Sequence, residues 1–541
     1  MNPTKSSNRS KLPDLQIEIR NVETPTIFPE EAGEIKVFVT NQGNKIFKGP
    51  LDINLYASTD SLLNLPLNQG NLAGKDELLG SLNYANINLA PGQSKTFTVK
   101  FADPEIRTPS VVAPGAYYLI AEVDPNNTIT EGNESNNQAI NFFSTDGSDA
   151  VIDWNAVALN IIQNTATPTL IASRNLAIVH AAIYDATNAI YQTHEPYFVN
   201  INPSEIISAS PEAAVVESAY ETLLNLYPTQ KVVLDEQRFR SLVEIPNGTA
   251  KDAGIELGKR VADQIIALRS NDGSDKANEP PYSLEPTVGV WRPTPPNFAP
   301  AAFPNWGLVT PFAIPNGSTF RPDGFPDLNS AEYTQEFNEV RILGEKNSTI
   351  RTPEQTEIAQ FWSFGRPDTF TTPGQWNRIA ETVALQQSNT LEENARLFAL
   401  LNIGIADAGI AAYDAKYAFN RWRPITAIQE ADIDGNANTD ADLDWEPLLN
   451  TPSHPDYLAA HSVFGGAAGK ILDEFFGNNI SFTTTSQELP GISRSYLGFM
   501  QAAEESSNSR IYGGVHFRSA AEDGLTTGIA VGEFVSQHFL G

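Results

Sequence analysis

The sequence predicts a multidomain protein in which an antiparallel, immunoglobulin-like β-sandwich is followed by a mainly α-helical bundle domain. Residues 13–143 contain short runs with alternating apolar and polar residues, which is typical of half-buried strands. After a polar linker at residues 144–150, apolar residues recur at helical spacing through residues 151–541. Residues 1–12 are polar and are predicted to be a disordered tail. A length of 541 residues agrees with more than one core.

The strand prediction depends on four runs with period-2 alternation, and Gly, Pro and Asn lie between them at turn positions. The runs are residues 15–19, 35–39, 53–56 and 97–101. Several short antiparallel strands of this kind, with turns between them, favour a sandwich.

The helix prediction depends on six amphipathic or apolar segments. They are residues 154–162, 174–185, 213–226, 250–269, 380–401 and 403–422. Residues 280–326 interrupt this pattern with dense proline and many aromatic residues. Because a disordered linker rarely contains so many aromatics, we expect an ordered segment that packs over the bundle. It either lines an entrance to a site or serves as a structural belt.

The composition excludes several classes of function. With 65 Asp and Glu against 35 Lys and Arg, the net charge is −30, which argues against nucleic acid and anionic membrane surfaces as partners. The absence of cysteine excludes disulfides, thiolate metal sites and cysteine nucleophiles. No run approaches 18 apolar residues, so no membrane span is expected. The first fifteen residues show no apolar core of an ordinary secretory signal.

Basic residues and histidines cluster in three short segments of the second half. Lys416 and Arg423 are seven residues apart, about two helical turns, so they are expected on the same side of a helix. Pro424 disfavours helix at Arg423 and predicts that the helix ends there. Each residue alone is also compatible with a solvated surface.

The other two segments contain the histidines. His461 precedes an apolar run that predicts a new helix, whose free N–H groups would attract an anion. Arg510 and His516 flank the Gly513-Gly514 pair, which allows a turn that brings both side chains together. Three cations and two histidines together predict a site for one small tetrahedral oxyanion.

The order and spacing of these segments resemble the vanadium-dependent haloperoxidases of the type-2 phosphatidic acid phosphatase superfamily. The family pattern is Lys-x6-Arg-Pro, then Pro-Ser-Gly-His, then Ser-Arg-x5-His-x3-Asp. The first and third motifs are present at residues 416–424 and 509–516, and the middle motif reads Leu-Ala-Ala-His at residues 458–461. The resemblance covers about residues 150–541. It implies a vanadate cofactor, with hydrogen peroxide, a halide and a small organic acceptor as reactants.

The resemblance also implies a role for each matching residue. His516 would bind vanadium through a neutral imidazole nitrogen. Lys416, Arg423 and Arg510, with the backbone N–H of Ala460, would hold the vanadate oxygens. His461 would act in acid–base catalysis, and Lys416 would also hydrogen-bond to bound peroxide.

Five positions depart from the family pattern or bear on specificity. Ala459, Ala460 and Ala520 stand where the family has Ser, Gly and Asp, so one hydroxyl and one orienting carboxylate are missing. Asp368 is the displaced candidate for an Asp that pairs with the second site arginine. His454 occupies a position where chloroperoxidases of the family have Phe and bromoperoxidases have His, which favours bromide or iodide over chloride.

The N-terminal segment resembles the CARDB adhesion-type domain over residues 13–143. The residues that carry this resemblance are 13–15, 89–94, 123–127 and 131–137. It implies an accessory module without chemistry of its own, which would make a surface or matrix contact. Localisation stays open, because such a module suggests the cell exterior while no signal peptide is visible. Whether the chain forms a homo-oligomer also stays open.

Three functions remain in competition. The first is halide oxidation with vanadate and peroxide, and the second is an acid phosphatase, since phosphate and vanadate are both tetrahedral oxyanions. The third is a binding or matrix protein whose site is impaired by its alanines. Separately, the acidic segment 432–442 is either a solvated loop or a cation site, because it departs from the EF-hand frame at Ala437 and Leu443.

Overall fold

The chain divides into two compact units, residues 1–148 and 149–541, and each is described by itself. The computed structural model describes residues 12–19, 33–58, 77–101, 116–133, 136–144, 149–202, 206, 208–279, 282, 284–366, 368–489 and 492–540. The predicted tail, apart from its last residue, and most of the predicted linker lie outside the described residues.

The first unit contains two antiparallel sheets. Its described strands are β1 (Leu15–Ile19), β2 (Gly33–Asn41), β3 (Phe47–Ser58), β4 (Glu77–Leu89), β5 (Ser94–Phe101), β6 (Ala116–Val123) and β7 (Gln138–Ser144). One sheet has the order β1-β2-β5 and the other the order β4-β3-β6-β7. The four runs predicted from alternation lie in β1, β2, β3 and β5, so the strand prediction is confirmed.

One apolar core joins the inner faces of the two sheets. Alternate residues of β2, such as Ile35, Val37 and Val39, are buried together with Leu51 and Ile53 of β3. Because side chains on a strand alternate between faces, this period places one face of each sheet in the core. The unit therefore has the sandwich architecture that the sequence predicts.

The second unit is helical, with one small hairpin. Its helices are α1 (Ala150–Asn164), α2 (Thr169–Tyr191), α3 (Pro211–Leu226), α4 (Lys231–Glu244), α5 (Thr249–Arg269), α6 (Ala331–Leu343), α7 (Pro353–Phe361), α8 (Thr371–Gln387), α9 (Leu391–Phe419), α10 (Pro424–Gln429), α11 (Ala460–Phe476), α12 (Phe499–Tyr512) and α13 (Arg518–His538). Strands β8 (Phe482–Thr485) and β9 (Ser493–Tyr496) form an antiparallel hairpin.

The boundary predicted between the last two helical segments was wrong. The chain leaves helix at Ser388, which has a left-handed φ of 56°, and α9 begins three residues later. Thr390 and Glu393 form a capping box, in which each side chain accepts a hydrogen bond from the other residue's backbone N–H. The prediction of helix over 380–401 ran through this cap because it followed the apolar period alone.

The end of α9 was also predicted too far along the chain. Helix was expected to Trp422, but α9 ends at Phe419, and Asn420 closes it with a left-handed φ of 54°. The consequence is local and important: Arg423 lies outside α9, immediately before Pro424 opens α10. Its guanidinium can therefore turn toward the segment that precedes α11.

Helix α9 is the central helix of the unit and contacts α2, α11 and α13. Among the described residues it alone has the length and composition to cross a membrane, with 29 residues. However, 94% of its most apolar window is buried within the protein.

The described part of the proline-rich segment 280–326 packs onto α9. The carboxylate of Asp407 on α9 accepts hydrogen bonds from the backbone N–H groups of Phe312, Ala313 and Ile314 at 2.7, 2.7 and 2.8 Å. Trp306 and Phe312 are buried in the core of the helical unit. The segment is therefore ordered and packed, as its aromatic content predicts.

Candidate functional site

The three predicted cations lie at three different element ends and are all buried. Lys416 is in the last turn of α9, Arg423 lies directly before α10, and Arg510 is in the last turn of α12. Their exposed fractions are 0%, 0% and 2%. Since basic side chains are rarely buried without partners, this placement excludes a solvated surface for all three.

Arg423 contacts two other predicted site residues, His454 and His516. Its Nε donates to the carbonyl oxygen of His454 at 2.7 Å, and its Nη1 donates to that of Val515 at 2.7 Å. Its Nη2 lies 2.8 Å from Nδ1 of His454, and its Nη1 lies 3.1 Å from Nε2 of His516. The predicted first and third motifs therefore meet in space.

Lys416 fixes the backbone of the segment that precedes α11. Its Nζ donates to the carbonyl oxygens of Pro455 at 2.8 Å, Asp456 at 3.1 Å and Leu458. Burial, together with the charge of Arg423, holds the pKa of Lys416 well below its usual range. An ammonium has three donors, so in this structure the lysine is committed to loop carbonyls.

Arg510 is the least satisfied of the three cations. Its Nη1 donates one long hydrogen bond, 3.4 Å, to the carbonyl oxygen of Trp362, and its buried Nε has no partner among the described residues. Burial, followed by the charge of Arg423, lowers the pKa of Arg510 to about 9. An unpaired buried donor costs free energy, so this guanidinium needs an acceptor.

His461 is the second residue of α11, where a new helix was predicted. Its Nε2 lies 3.2 Å from the carbonyl oxygen of Ser363. Burial and the neighbouring charge of Arg510 hold the pKa of His461 well below its usual range, which favours the neutral ring. Ala459 at the N-cap supplies no side-chain acceptor, so the first N–H groups of α11 are not capped by that residue.

His516 follows the turn that was predicted from the double glycine. Gly514 adopts a left-handed φ of 75°, and a Cβ at this position would lie 2.4 Å from the carbonyl oxygen of Gly344. Only glycine fits such an approach. Burial, followed by the charges of Arg423 and Lys416, holds the pKa of the His516 ring well below its usual range.

Asp456 is a residue of this site that the sequence did not reveal. Its side chain is fully buried, and Oδ1 lies 2.9 Å from Nδ1 of His516. Burial raises the pKa of this carboxyl to about 6, although the neighbouring arginines 421 and 423 oppose the rise. The available signal was a lone acidic residue in an otherwise uncharged segment between His454 and His461.

Arg421 and Glu336 form a buried ion pair behind Asp456. An Arg421 Nη2 hydrogen bond reaches Oε1 of Glu336, whose Oε2 accepts from the backbone N–H and the hydroxyl of Ser519 at 2.9 and 2.6 Å. Arg421 also lies over the ring of Phe517, with 4.1 Å to its centroid. This pair is self-compensating and adds no net charge to the site.

The other buried charges of the site leave an excess of positive charge. Three cations, Lys416, Arg423 and Arg510, lie in this region, where Asp456 acts on Lys416 and Arg423 and Glu488 acts on Arg510. Burial lowers the pKa of Arg423 to about 10 despite the Asp456 carboxylate. An oxyanion would supply the missing negative charge, and the guanidiniums, with the start of α11, would supply its hydrogen-bond donors.

Two family models match this chain in its two units. Residues 396–540 match the model described as the VCPO second helical-bundle domain, and residues 12–141 match CARDB. The chain thus joins a CARDB-like unit to a helical unit that resembles the vanadium haloperoxidases. The site described above lies within this haloperoxidase-type domain.

Three proteins of known name are similar to the helical unit. Vanadium chloroperoxidase of Curvularia inaequalis is 26% identical over 422 residues, which is 61% of this chain and 66% of that protein, just under two thirds of its length. A bacterial vanadium-dependent iodoperoxidase structure is 27% identical, covers 72% of this chain and 95% of its own, and gives a TM-score of 0.63. A bacterial vanadium-dependent chloroperoxidase, 16% identical with a TM-score of 0.54, shares the fold over 69% of this chain and 92% of its own.

The alanines of the haloperoxidase-type domain fit the backbone without strain. Ala459 has a φ of −72°, and Ala460 is the first residue of α11 and is not among the residues with positive φ. The backbone N–H of Ala459 donates to the carbonyl oxygen of Ala520 at 2.9 Å. The replacement of glycine by Ala460 is therefore sterically compatible with the fold.

Asp368 was predicted as a partner of a site arginine, and that prediction is wrong. Its side chain is 62% exposed and makes a two-point ion pair with Arg366, with Oδ1 to Nε at 2.9 Å and Oδ2 to Nη2 at 2.5 Å. The chain turns outward after Phe364, which has a left-handed φ of 38°. The carbonyl oxygens of Trp362 and Ser363 face Arg510 and His461 instead.

The acidic loop 432–442 is held by hydrogen bonds within itself and by Asn436, whose Nδ2 donates to the carbonyl oxygen of Leu328 and the hydroxyl of Thr334. The Asp434 carboxylate accepts from the backbone N–H of Asn436 and the hydroxyl of Thr439, both at 2.7 Å. Within the described part of the chain, no group of three or more His, Asp or Glu residues has the arrangement of a metal site. Asp432, Asp440 and Asp442 are exposed, whereas Asp434, Asn436 and Thr439 are buried, so the loop is only partly solvated.

Proposed function

We propose that this protein is a vanadate-dependent haloperoxidase that oxidises bromide or iodide with hydrogen peroxide and passes the oxidised halogen to organic acceptors. The observation that carries the proposal is the excess of buried positive charge around Arg423 and Arg510 beside the imidazole of His516. Buried charge is retained only where a partner compensates it, and a tetrahedral oxyanion does so here.

The residues present fit vanadate. Arg423 and Arg510 would hold its oxygens by charge-assisted hydrogen bonds, and the backbone N–H groups that begin α11 would add donors. Nε2 of His516 would bind the metal, since the depressed pKa of the ring keeps it neutral. Vanadate, when bound, supplies a Lewis-acidic centre that activates hydrogen peroxide without changing its own oxidation state.

His461 is suited to proton transfer in this reaction. Its ring is buried at the start of α11, close to the charge of Arg510, and its pKa is depressed. A neutral imidazole can accept a proton from an incoming peroxide and return it to a leaving water. Lys416 would contribute by holding the backbone from Pro455 to Leu458, which carries the chain into α11.

The preference for bromide or iodide rests on the resemblance at His454. The Nδ1 atom of this histidine lies 2.8 Å from Nη2 of Arg423, and its ring centroid lies 5.2 Å from that of Tyr413. The imidazole therefore contacts one of the oxyanion-binding cations directly. We propose that it contributes to the environment in which the halide is oxidised.

The test is halide oxidation by the purified protein after loading with orthovanadate, with iodide, bromide and chloride assayed in parallel. We expect vanadate-dependent turnover with iodide and bromide, and inhibition by excess phosphate, which competes for the same cations. Hydrolysis of a phosphate ester without oxidation of any halide would instead establish a phosphatase. Binding of neither vanadate nor phosphate would leave the impaired-site alternative.

A further inference from the structure

Asp456 and His516 face each other without another well-placed partner. Both carboxylate oxygens and Nδ1 of His516 are buried and lack an aligned hydrogen bond to any other described side chain or backbone group. Oδ1 and Nδ1 are nevertheless 2.9 Å apart, although the contact is too bent for a linear hydrogen bond. Each atom is thus the nearest available partner of the other.

The neighbours of His516 fix which ring nitrogen carries the proton. Nη1 of Arg423 lies 3.1 Å from Nε2, and a guanidinium can only donate, so Nε2 is the acceptor. In the neutral ring the proton must then be on Nδ1, the atom that faces Asp456. The carboxylate therefore stands where it favours an unprotonated Nε2.

The position of Asp456 is held from several sides. Its backbone N–H donates to the carbonyl oxygen of Arg421 at 2.9 Å, and its own carbonyl oxygen accepts from Lys416 at 3.1 Å. The side chain of Arg421 lies 3.6 Å from Oδ2, but its direct partner is Glu336. Arg421 therefore lies close enough to restrict the Asp456 carboxylate, but its charge is paired mainly with Glu336.

We propose that Asp456 is the positioning residue of His516: its carboxylate faces the Nδ1–H of the ring and so presents Nε2 to the oxyanion. This inference rests on the proposed function. It accounts for Ala520, because the orienting carboxylate that is absent four residues after His516 is supplied by the segment before α11. Mutation of a residue that orients a metal-binding histidine typically lowers metal affinity by about 10–100-fold.

The test compares two anions on the full-length protein. Phosphate uses the cations alone, whereas vanadate also needs Nε2 of His516, so the ratio of their dissociation constants measures the metal–imidazole contribution. Isothermal titration of Asp456→Asn should show vanadate affinity reduced at least tenfold relative to phosphate affinity. Phosphate should bind the variant as well as, or more tightly than, it binds wild type, since a negative charge has been removed.

Glu336→Gln is the control for a merely structural role. It removes the direct partner of Arg421 without touching Nδ1 of His516, so we expect the ratio to stay within about threefold of wild type. An equal loss in both variants would overturn the proposal. If Asp456→Asn keeps the wild-type ratio of vanadate to phosphate affinity, the role of Asp456 is overturned but the proposed function is not. If the wild-type protein itself does not prefer vanadate to phosphate, the proposed function is overturned as well.

A measurement on the unmodified protein does not depend on the folding of a variant. Nitrogen-15 labelling of the six histidines allows the tautomer of each ring to be read from its NMR spectrum, with His516→Ala used for assignment. The proposal requires the proton on Nδ1 of His516. A proton on Nε2 in the anion-free protein would overturn it.

Discussion

At the scale of single residues, the site is defined by charge without compensation. Arg510 is the clearest case, because it is buried with one long hydrogen bond and an unpaired Nε. Arg494 is the opposite case. Burial tends to lower the pKa of its guanidinium, but hydrogen bonds with Glu505 and Glu354 raise this pKa overall. Arg494 is fully paired within the protein, and we propose that Arg510 binds a ligand instead.

This contrast predicts opposite effects on stability. Arg510→Met should raise the free energy of unfolding of the anion-free protein by about 1–3 kcal/mol, because a buried charge without a partner is removed. The same variant should lose the thermal stabilisation that vanadate gives to wild type. Arg494→Met, the matched control, should lower the unfolding free energy. Urea denaturation with and without vanadate checks both, and a destabilised Arg510→Met would contradict the account.

Lys416 gives a prediction about pH. Burial and the charge of Arg423 lower its pKa in the free protein, while a bound anion favours the charged ammonium and raises it again. Anion binding should therefore take up protons at pH values between the free and bound pKa, and affinity should fall as the pH rises through that window. Sulfate is a suitable probe, since it does not titrate near neutral pH.

Proton uptake can be measured by titrating sulfate between pH 7 and 10 in buffers of different ionisation enthalpy. We expect net proton uptake that increases toward the alkaline end of this range. Uptake should be smaller in Lys416→Met, and the difference between the two proteins is the contribution of the lysine. Identical uptake in the two proteins would show that Lys416 does not respond to the anion.

At the scale of elements, the turn between α12 and α13 places His516. Gly514 combines a left-handed φ with close approach to Gly344, whereas Gly273, shortly after α5, is left-handed with a φ of 90° and has no atom closer than 3.8 Å to its Cβ position. Comparing alanine substitutions at the two glycines separates the cost of the backbone conformation, about 1–2 kcal/mol for a non-glycine residue, from the cost of the close approach.

We therefore expect Gly514→Ala to be at least about 2 kcal/mol more destabilising than Gly273→Ala, because only Gly514 approaches another backbone closely, and to impair vanadate binding as well. Chemical denaturation and calorimetric titration of the two variants provide the comparison. Equal destabilisation, with vanadate binding retained in both, would mean that the approach to Gly344 does not determine where His516 lies.

The elements also explain what the sequence could predict. Strand alternation and the motif spacing depend on neighbours along the chain, so the sandwich strands, the start of α11 and the double-glycine turn were predictable. The helix break at Ser388 was missed because the prediction followed the spacing of apolar residues. The capping box of Thr390 and Glu393 is a local sequence signal that marks the start of the next helix. Asp456 meets His516 across sixty positions of sequence, and only the tertiary fold brings such residues together.

At the scale of the whole molecule, every predicted residue of the oxyanion site lies in the unit of residues 149–541. We propose that this unit is sufficient for anion binding. The helical unit produced alone should bind vanadate with a dissociation constant within about threefold of the full chain. Calorimetric titration checks this, and loss of binding in a folded helical unit would contradict it.

The central claim is that His516 and the buried cations hold vanadate, and the vanadium content of the loaded protein tests it most directly. After free vanadate is removed, wild type should retain one vanadium per chain, as should His461→Ala, whose turnover should nevertheless be greatly slowed. His516→Ala should retain none, because the protein–metal bond is lost. Equal vanadium in wild type and His516→Ala would contradict the assignment of the ligand and, with it, the proposed site.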